Sequence, residues 1–201
     1  MVKLIVNGEE REIDAKDYSN FGELMEELKK EHSDKVLSKV VVNGNEIPLS
    51  KVDDLLGATI DEEGLTIEVE FKNIREFLVD TLEEVVKYVD NVINLLPKVS
   101  ENMIVNSQEG YKAIKDLTDG LTAVENLREN TIKVSKITPS DVGMKDREDE
   151  VVGILKNFVG GLERSDIIDL SDIIEQQLPT VLNYYKEYFS KVLEILKSKT
   201  N

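Results

Sequence analysis

The spacing of apolar residues changes abruptly at Asn73, and this change constrains the fold more than any other feature of the sequence. Before Asn73, apolar and polar residues alternate, which is the period of a strand with one buried face. The alternating apolar residues are Leu65, Ile67, Val69 and Phe71. After Asn73, apolar residues recur at the helical period, at Ile74, Phe77 or Leu78, Leu82, Val85, Val89, Ile93 and Leu96. Because asparagine is a favoured N-cap residue, we expect the strand to pass directly into a helix here.

Two Asn-Gly pairs mark β-hairpins in the first part of the chain. Asn7-Gly8 and Asn43-Gly44 each lie beside apolar, β-branched runs. Asn-Gly supplies the two positive φ angles of a type I′ turn, which is a favoured connection between antiparallel strands. The first pair predicts strands at about residues 2–6 and 10–14.

An amphipathic helix is predicted between the two hairpins. Its apolar positions are Phe21, Leu24, Met25 and Leu28. Ser19 or Asn20 is the predicted N-cap, with Glu23 placed to complete a capping box. The predicted order is therefore hairpin, helix, strand, short strand and final strand.

That order, with the helix crossing one face of a mixed sheet, resembles the β-grasp or ubiquitin-like fold over residues 1–72. "VVVNGNEIPLS" is similar to the third-strand region of the bacterial sulfur-carrier branch, and "DEEGLTIEVEF" is similar to its acidic turn and last strand. Carriers of this family act through a free C-terminal Gly-Gly. Phe71-Lys72-Asn73 stands at that position here, so the resemblance implies the scaffold without the carrier chemistry, as a candidate interaction module.

Ubiquitin-like modules bind partners through apolar residues on the exposed face of the sheet. If Val2 and Val40 face the core, then Ile5 and Val41 face outward beside the acidic residues of the last strand. Ile5 and Val41 are therefore candidate partner-binding residues. The alternatives are that the second domain covers them or that they are singly exposed apolar residues, which are common.

The second half of the chain predicts four amphipathic helical segments. The first begins after Asn73 and bends or ends at Pro97 or just beyond it, since an interior proline loses a hydrogen bond. The second spans about residues 107–136 and is followed by the loop "ITPSDVGMKDRED". The third ends near Gly160-Gly161 or Arg164. The last is either one long helix kinked near Pro179 or two helices that meet there.

We therefore predict an α+β protein, with a ubiquitin-like β-grasp domain at residues 1–72 and an all-α bundle of about four helices at residues 73–201. The second part resembles in outline the small helical export chaperones that hold flagellin subunits, and more loosely helical proteins of anaerobic bacteria. The likeness rests on four amphipathic helices and on the acidic segment "SDIIDLSDIIEQQLP" before the last one. No short functional motif accompanies it.

The charge balance limits the classes of partner. Lys and Arg total 25 against 41 Asp and Glu, a net charge of -16, which repels nucleic-acid backbones and anionic membrane surfaces. A basic partner is favoured. The absence of cysteine excludes disulfides and thiolate chemistry and fits a reducing compartment. With no signal-peptide core and no apolar run of membrane-spanning length, the sequence favours a cytoplasmic protein.

No catalytic or cofactor-binding motif is present in the sequence. The lone His32 lies at the polar end of the first helix, where a solvated side chain is the expected state. Asp169 and Asp172, with Glu175 or Gln176, fall at intervals of three or four on one helical face. This row could bind a divalent ion but also fits a solvated acidic face. We therefore expect no cofactor, no metal and no enzymatic activity.

The aromatic residues of the last helix complete the list of candidates. Tyr185 and Phe189 lie at the centre of its apolar stripe, whereas Tyr188 falls on the rim and Tyr184 about 100° away. We therefore predict Tyr184 and Tyr188 as partner-binding residues, the alternative being that they shield the edge of the bundle or lie under the first domain. The predicted function is that of a non-catalytic protein-binding or chaperone-like protein that recognises a protein or an amphipathic peptide helix. An architectural homodimer and a divalent-metal enzyme remain the alternatives.

Overall fold

The computed structural model describes residues 1–60, 64–105 and 107–198. The chain divides into two compact units, Met1–Phe77 and Leu78–Asn201. The first contains a mixed five-stranded sheet and the second contains helices, so the predicted α+β class is confirmed. Of the turn predicted at Asp61 to Gly64, residues 61–63 lie outside the described residues.

The first unit is built on a sheet with the strand order β2-β1-β5-β3-β4. The strands are β1 (Val2–Val6), β2 (Glu9–Ile13), β3 (Lys35–Val42), β4 (Asn45–Ile47) and β5 (Thr66–Asn73). β1 and β5 run parallel, and the other neighbours are antiparallel. Helix α1 (Phe21–Glu31) begins at Asn20, whose side chain accepts a hydrogen bond from the Glu23 N–H, as the sequence predicts.

The two Asn-Gly turns have the predicted backbone geometry. Asn7 and Gly8 have φ angles of 51° and 82°, and Asn43 and Gly44 have φ angles of 50° and 77°. Both asparagine side chains also bind the last strand. Asn7 Oδ1 accepts a hydrogen bond of 2.7 Å from the N–H of Phe71, and Asn43 Oδ1 accepts one of 2.9 Å from the N–H of Thr66. The turns therefore fix the position of β5 as well as the register of the hairpins.

The core of the first unit lies between α1 and one face of the sheet. Alternate residues of β1 and β5 are buried there, as their spacing predicts. The residues of this core are Val2, Leu4, Val6, Phe21, Leu24, Met25, Leu28, Val40, Val52, Ile60, Leu65, Ile67, Val69 and Phe71. The opposite face of the sheet carries the outward set that includes Ile5 and Val41.

The second unit consists of long helices with a core of its own. The helices are α2 (Ile74–Val105), α3 (Ser107–Ser135), α4 (Glu148–Arg164), α5 (Ile167–Asp172) and α6 (Leu178–Ser198). Asn73 caps α2 by accepting a hydrogen bond of 2.9 Å from the N–H of Arg75. The prediction that α2 could end at Pro97 is wrong, because the helix continues through this proline to Val105.

A π-helical turn, Ile173–Gln177, joins α5 to α6. Pro179 follows as the second residue of α6. In a regular α-helix the proline ring would clash with the carbonyl of the residue four positions earlier, which lies within this turn. The wider turn immediately before the proline accommodates this restriction, so the helical segments meet here without a loop. No helix in the described part of the chain is both long and apolar enough to cross a bilayer.

Candidate binding surfaces

The outer face of the sheet places Ile5 and Val41 on either side of one carboxylate. Glu68 of β5 is the register partner of Ile5 on β1 and of Val41 on β3. Further out in the same row, Glu10 lies opposite Ile5 and Glu46 lies opposite Val41. Ile5 and Val41 are both half-buried. Their predicted outward orientation is found, but the apolar centre is divided by a charged residue.

Ion pairs lie beside Ile5 and Val41 on this face of the sheet. Lys3 Nζ lies 2.7 Å from Glu10 Oε2, and Lys39 Nζ lies 3.9 Å from Glu68 and 3.6 Å from Glu70. Such exposed pairs contribute little to stability, but they keep the face polar. This face therefore offers two separate apolar side chains in charged surroundings, which is a small area for a docking site.

Tyr184 and Tyr188 are not exposed, so the exposure on which their prediction as partner-binding residues rests is wrong. Their relative exposures are 2% and 0%. The hydroxyl of Tyr188 donates a hydrogen bond of 2.7 Å to the carbonyl of Ile137, in the segment between α3 and α4. The Arg147 guanidinium lies 5.7 Å from the centre of the Tyr184 ring. The chain between α3 and α4 thus covers the side of α6 that periodicity alone leaves open.

Burial changes the acidity of these tyrosines. Loss of hydration raises the pKa of Tyr184 to about 12, and the nearby Glu148 carboxylate adds to this shift. Burial likewise raises the pKa of Tyr188 to about 12. The pKa of Tyr185 is also raised, first by burial and then by Glu125. These hydroxyls therefore act as neutral hydrogen-bonding groups at ordinary pH.

An arginine lies within the buried stripe of α3. Leu117, Leu121 and Val124 continue at helical spacing into Arg128 and the fully buried Thr131. Thr131 Oγ1 is a buried polar atom, and the described residues provide no hydrogen-bond partner for it. The stripe therefore changes from apolar to polar in the last part of the helix, where Arg128 lies beside Tyr184 and Tyr185 of α6.

Glu125 forms a bidentate ion pair with this arginine and neutralises its charge. Arg128 donates hydrogen bonds of 2.9 Å from Nε and 2.7 Å from a terminal nitrogen to the two oxygens of Glu125. Burial opposes ionisation of Glu125, but hydrogen bonds from Arg128 and Tyr185 outweigh it and hold the pKa of Glu125 below its usual value. The pKa of Arg128 is raised, chiefly by its hydrogen bonds to Glu125. This pair was not predicted from the sequence. It could have been suspected because Arg128 occupies a position of the apolar stripe of α3.

These residues line a cavity of about 150 Å³, which we call the arginine pocket. Its walls are contributed by α3, α4 and α6, and its lining residues are Glu125, Arg128, Glu148, Val151, Val152, Leu155, Tyr184 and Tyr185. Glu148 lies 3.7 Å from a terminal nitrogen of Arg128, and the Tyr184 hydroxyl lies 3.5 Å from Glu148 Oε1. The pocket thus combines apolar walls with two carboxylates and one guanidinium.

The acidic residues predicted as a possible metal site are used in local contacts. Asp169 Oδ2 accepts a hydrogen bond of 2.6 Å from Arg164, and Glu175 accepts one of 3.3 Å from Ser100 Oγ. Asp172 is exposed. Among the described residues, no group of three or more His, Asp or Glu side chains is arranged to hold a metal ion. These carboxylates therefore do not converge on a common centre.

His32 lies at the C-terminal end of α1 and stacks on an aromatic ring. The centres of the His32 and Phe71 rings are 4.8 Å apart, with an angle of 29° between the ring planes. The side chain is half-buried, so it is less solvated than the sequence suggested. This stacking closes the end of the core beside β5 and gives the histidine a structural role.

Several large apolar side chains are exposed at one end of the helical unit, and we call this cluster the end patch. Its members and their relative exposures are Ile104 (66%), Val105 (78%), Tyr111 (62%), Ile167 (38%) and Ile168 (74%). They come from the end of α2, the start of α3 and the start of α5. Tyr111 and Ile167 line one cleft, and exposed apolar side chains gathered at one end of a fold are a feature of interaction sites.

The close approach of α2 and α3 brings these chain segments together. A Cβ atom on Gly110 would lie 2.7 Å from Cα of Met103, so only glycine fits at this crossing. Met103, Gly110, Tyr111 and Ile167 line one small cleft. The end patch was not predicted from the sequence, because only the apolar residues at regular helical spacing were considered. The signal was the pairs Ile104-Val105 and Ile167-Ile168, each next to a helix end.

Comparison with known proteins assigns the chain to a family without assigning a function. No curated protein and no solved structure matches the chain. The family model described as "Domain of unknown function (DUF8042)" matches residues 80–188. This range includes the arginine pocket and the end patch, and it covers more than half of the 201 residues. The chain therefore belongs to this family of domains of unknown function.

Proposed function

We propose that this chain is a non-catalytic protein-binding protein whose helical unit holds an amphipathic segment of its partner on the end patch. The observation that carries the proposal is the exposure of five large apolar side chains at one end of that unit. Leaving such side chains in water costs free energy, which a partner's apolar stripe would recover. An amphipathic helix presents a stripe of this kind.

Charge supports a basic partner. Exposed carboxylates lie near the end patch in sequence: Glu101 precedes Ile104 by one turn, and Asp166 is adjacent to Ile167. Lys112 adds one cation beside Tyr111. The net charge of -16 gives long-range attraction to a cationic segment and repulsion from nucleic acid and anionic lipid. The proposed occupant is therefore a helix with lysine or arginine on its polar face.

The sheet unit is proposed as an accessory interaction module. Its resemblance to ubiquitin-like proteins stays a prediction, supported by a helix packed on a mixed five-stranded sheet. Its outer face exposes part of Ile5 and Val41 on either side of Glu68, which is a smaller apolar area than the end patch. A cytoplasmic location, inferred from the absence of cysteine and the acidic composition, is part of the same proposal.

Affinity capture from the native cell lysate tests the proposed function. The baits are the wild-type chain, the end-patch variant Ile104→Ser/Ile168→Ser, and the control Leu49→Ser/Val134→Ser, which removes exposed apolar side chains elsewhere. We expect one polypeptide to be retained by the wild type and the control but not by the end-patch variant. Identical retention by all three baits would overturn the assignment of the end patch.

Self-association is the second candidate, because the same apolar residues could pair two copies of the chain. The net charge of -16 opposes that pairing, since two copies would repel each other. Sedimentation equilibrium distinguishes self-association from binding of a separate partner. A monomer at micromolar concentration rules out the obligate homodimer, whereas a dimer lost in Ile104→Ser/Ile168→Ser would assign the end patch to self-association.

A further inference from the structure

We infer that the arginine pocket binds a primary alkylammonium group, the chemistry carried by a lysine side chain. The inference goes beyond the proposed function, because the pocket uses residues other than the end patch and can be tested with small molecules. The ammonium is placed at Glu148, and the alkyl chain is placed along the apolar wall formed by Val152 and Leu155.

The size of the cavity suits such a group. Its volume of about 150 Å³ has room for on the order of five water molecules. A lysine side chain has four carbons and one nitrogen beyond Cα, which fills a comparable space. Val151, Val152 and Leu155 provide a continuous apolar surface for the carbons. The stem of a lysine commonly packs on such a surface while its head stays near water.

Glu148 is the carboxylate in the lining with room for another cation. Glu125 already receives two hydrogen bonds from Arg128, at 2.7 and 2.9 Å. The contacts of Glu148 are longer, 3.7 Å to Arg128 and 3.5 Å to the hydroxyl of Tyr184. Both exceed the usual length of a charge-assisted hydrogen bond. An ammonium donor would therefore improve the coordination of Glu148 without displacing an existing short contact.

The charge of the lining selects a cation over an anion. Two carboxylates and one guanidinium line the pocket, so the negative charge is in excess. Arg147 lies nearby, but it is paired with Glu187 and stacked on the Tyr184 ring. A carboxylate ligand would meet Glu148 directly and be repelled.

The position of Glu148 also provides access. Its side chain is 39% exposed, and Val152, one turn later on α4, is 46% exposed. Both lie on the same side of the helix and form the rim, whereas Tyr184 and Tyr185 form the buried interior. A ligand can therefore enter from solvent with its alkyl chain against Val152.

Titration of isotopically labelled full-length protein by NMR tests the inference. The probes are n-butylammonium, n-butanol and n-butyrate, which share a four-carbon chain and differ in charge. We expect n-butylammonium to produce saturable shifts at the methyl groups of Val152 and Leu155, and n-butyrate to produce none. Glu148→Gln should weaken the binding about tenfold. Asp149→Asn removes the same charge from the next, exposed residue and should leave it unchanged.

The wild-type protein alone can overturn the inference, so no variant needs to fold for the test to decide. Equal shifts with n-butanol or n-butyrate, or no saturable shift with n-butylammonium, would refute a cation site. Wild-type affinity in Glu148→Gln would refute the role of Glu148. Nα-acetyl-lysine methylamide separates the two sources of the group: affinity at least equal to that of n-butylammonium assigns it to a lysine of a protein, and weaker affinity to a free amine.

Discussion

The hydroxyl of Tyr188 donates a hydrogen bond of 2.7 Å to the backbone carbonyl of Ile137, and both residues are buried. This bond joins the centre of α6 to the segment that connects α3 with α4. It satisfies a carbonyl that lies just beyond the end of α3 and could not be paired within that helix. The connecting segment is thereby held against Tyr188, which is fully buried.

Removing this hydroxyl should destabilise the protein. We expect Tyr188→Phe to lower the free energy of unfolding by about 1–3 kcal/mol, because the Ile137 carbonyl stays buried without its donor. Urea denaturation measures the change. Tyr111→Phe is the matched control, since that ring is 62% exposed, and it should change stability by less than about 0.5 kcal/mol. Equal effects of the two variants would contradict the structural role of this bond.

Alkaline titration should reveal the buried tyrosines. Burial raises the pKa of Tyr184 and of Tyr188 to about 12, against an ordinary value of 10.0. Because both pKa values lie higher in the folded state, their contribution to stability is complete below pH 10 and is lost as the pH rises toward 12. We expect tyrosinate absorbance to keep increasing above about pH 11 in the folded protein, where tyrosines of ordinary pKa are already about nine-tenths ionised, and to increase less in Tyr188→Phe.

The urea-unfolded chain is the reference for that titration, because its tyrosines are hydrated and should ionise near their ordinary pKa. A folded protein whose absorbance reaches its plateau at the same pH as the unfolded chain would contradict the burial of Tyr184 and Tyr188.

A double-mutant cycle with Arg128→Leu, Glu125→Leu and the double variant tests the partly buried ion pair of α3. The Arg128 side chain is only 19% exposed, so Arg128→Leu should cost about 2–3 kcal/mol by leaving Glu125 partly buried without its partner. Arg128→Leu/Glu125→Leu should recover much of this loss, since an apolar pair removes the uncompensated charge. Denaturant unfolding measures the loss of stability in the single variants and its recovery in the double variant.

The exposed pair formed by Lys133 and Glu129 is the control for that cycle. Its side chains are 69% and 55% exposed, and Lys133→Leu should change stability by less than about 0.5 kcal/mol. A double variant of Arg128 and Glu125 that is less stable than the Arg128→Leu single variant would show that the two residues are not coupled in the expected way.

Joining the divided apolar centre of the outer sheet face should stabilise the first unit. Glu68→Val would place an apolar, β-branched residue between Ile5 and Val41, and cross-strand pairs of this kind contribute about 0.2–1 kcal/mol each. Glu70→Val removes the same charge from the same strand face but lies opposite Lys39. We expect Glu68→Val to unfold at higher urea concentration than Glu70→Val. The reverse order would contradict the observed register.

The parts of the fold that depend on neighbouring residues could be predicted from the sequence. The two Asn-Gly turns, the cap at Asn20 and the strand-to-helix change at Asn73 are determined by a few adjacent residues, and the structure has all of them. Proline did not predict a helix end: Pro97 lies inside a continuous helix, because packing along α2 outweighs the lost backbone hydrogen bond.

The binding surfaces depend on contacts between distant segments, and periodicity does not contain that information. The spacing within α6 showed which residues share a face, but not that residues after Ile137 cover Tyr188. Arg128 was passed over because a charged residue interrupts the apolar pattern, whereas Glu125 makes its burial possible. Ile104 and Ile168 lie next to helix ends, off the stripes by which the core was recognised.

Fluorescence anisotropy with two labelled synthetic helices tests most directly whether the end patch binds a basic amphipathic segment. The two peptides carry the same apolar stripe, one with lysine and the other with glutamate on the polar face. We expect saturable one-to-one binding of the lysine peptide by the wild type and by Leu49→Ser/Val134→Ser, and its loss in Ile104→Ser/Ile168→Ser. Equal affinity for both peptides, or unchanged binding by the end-patch variant, would contradict the proposed function.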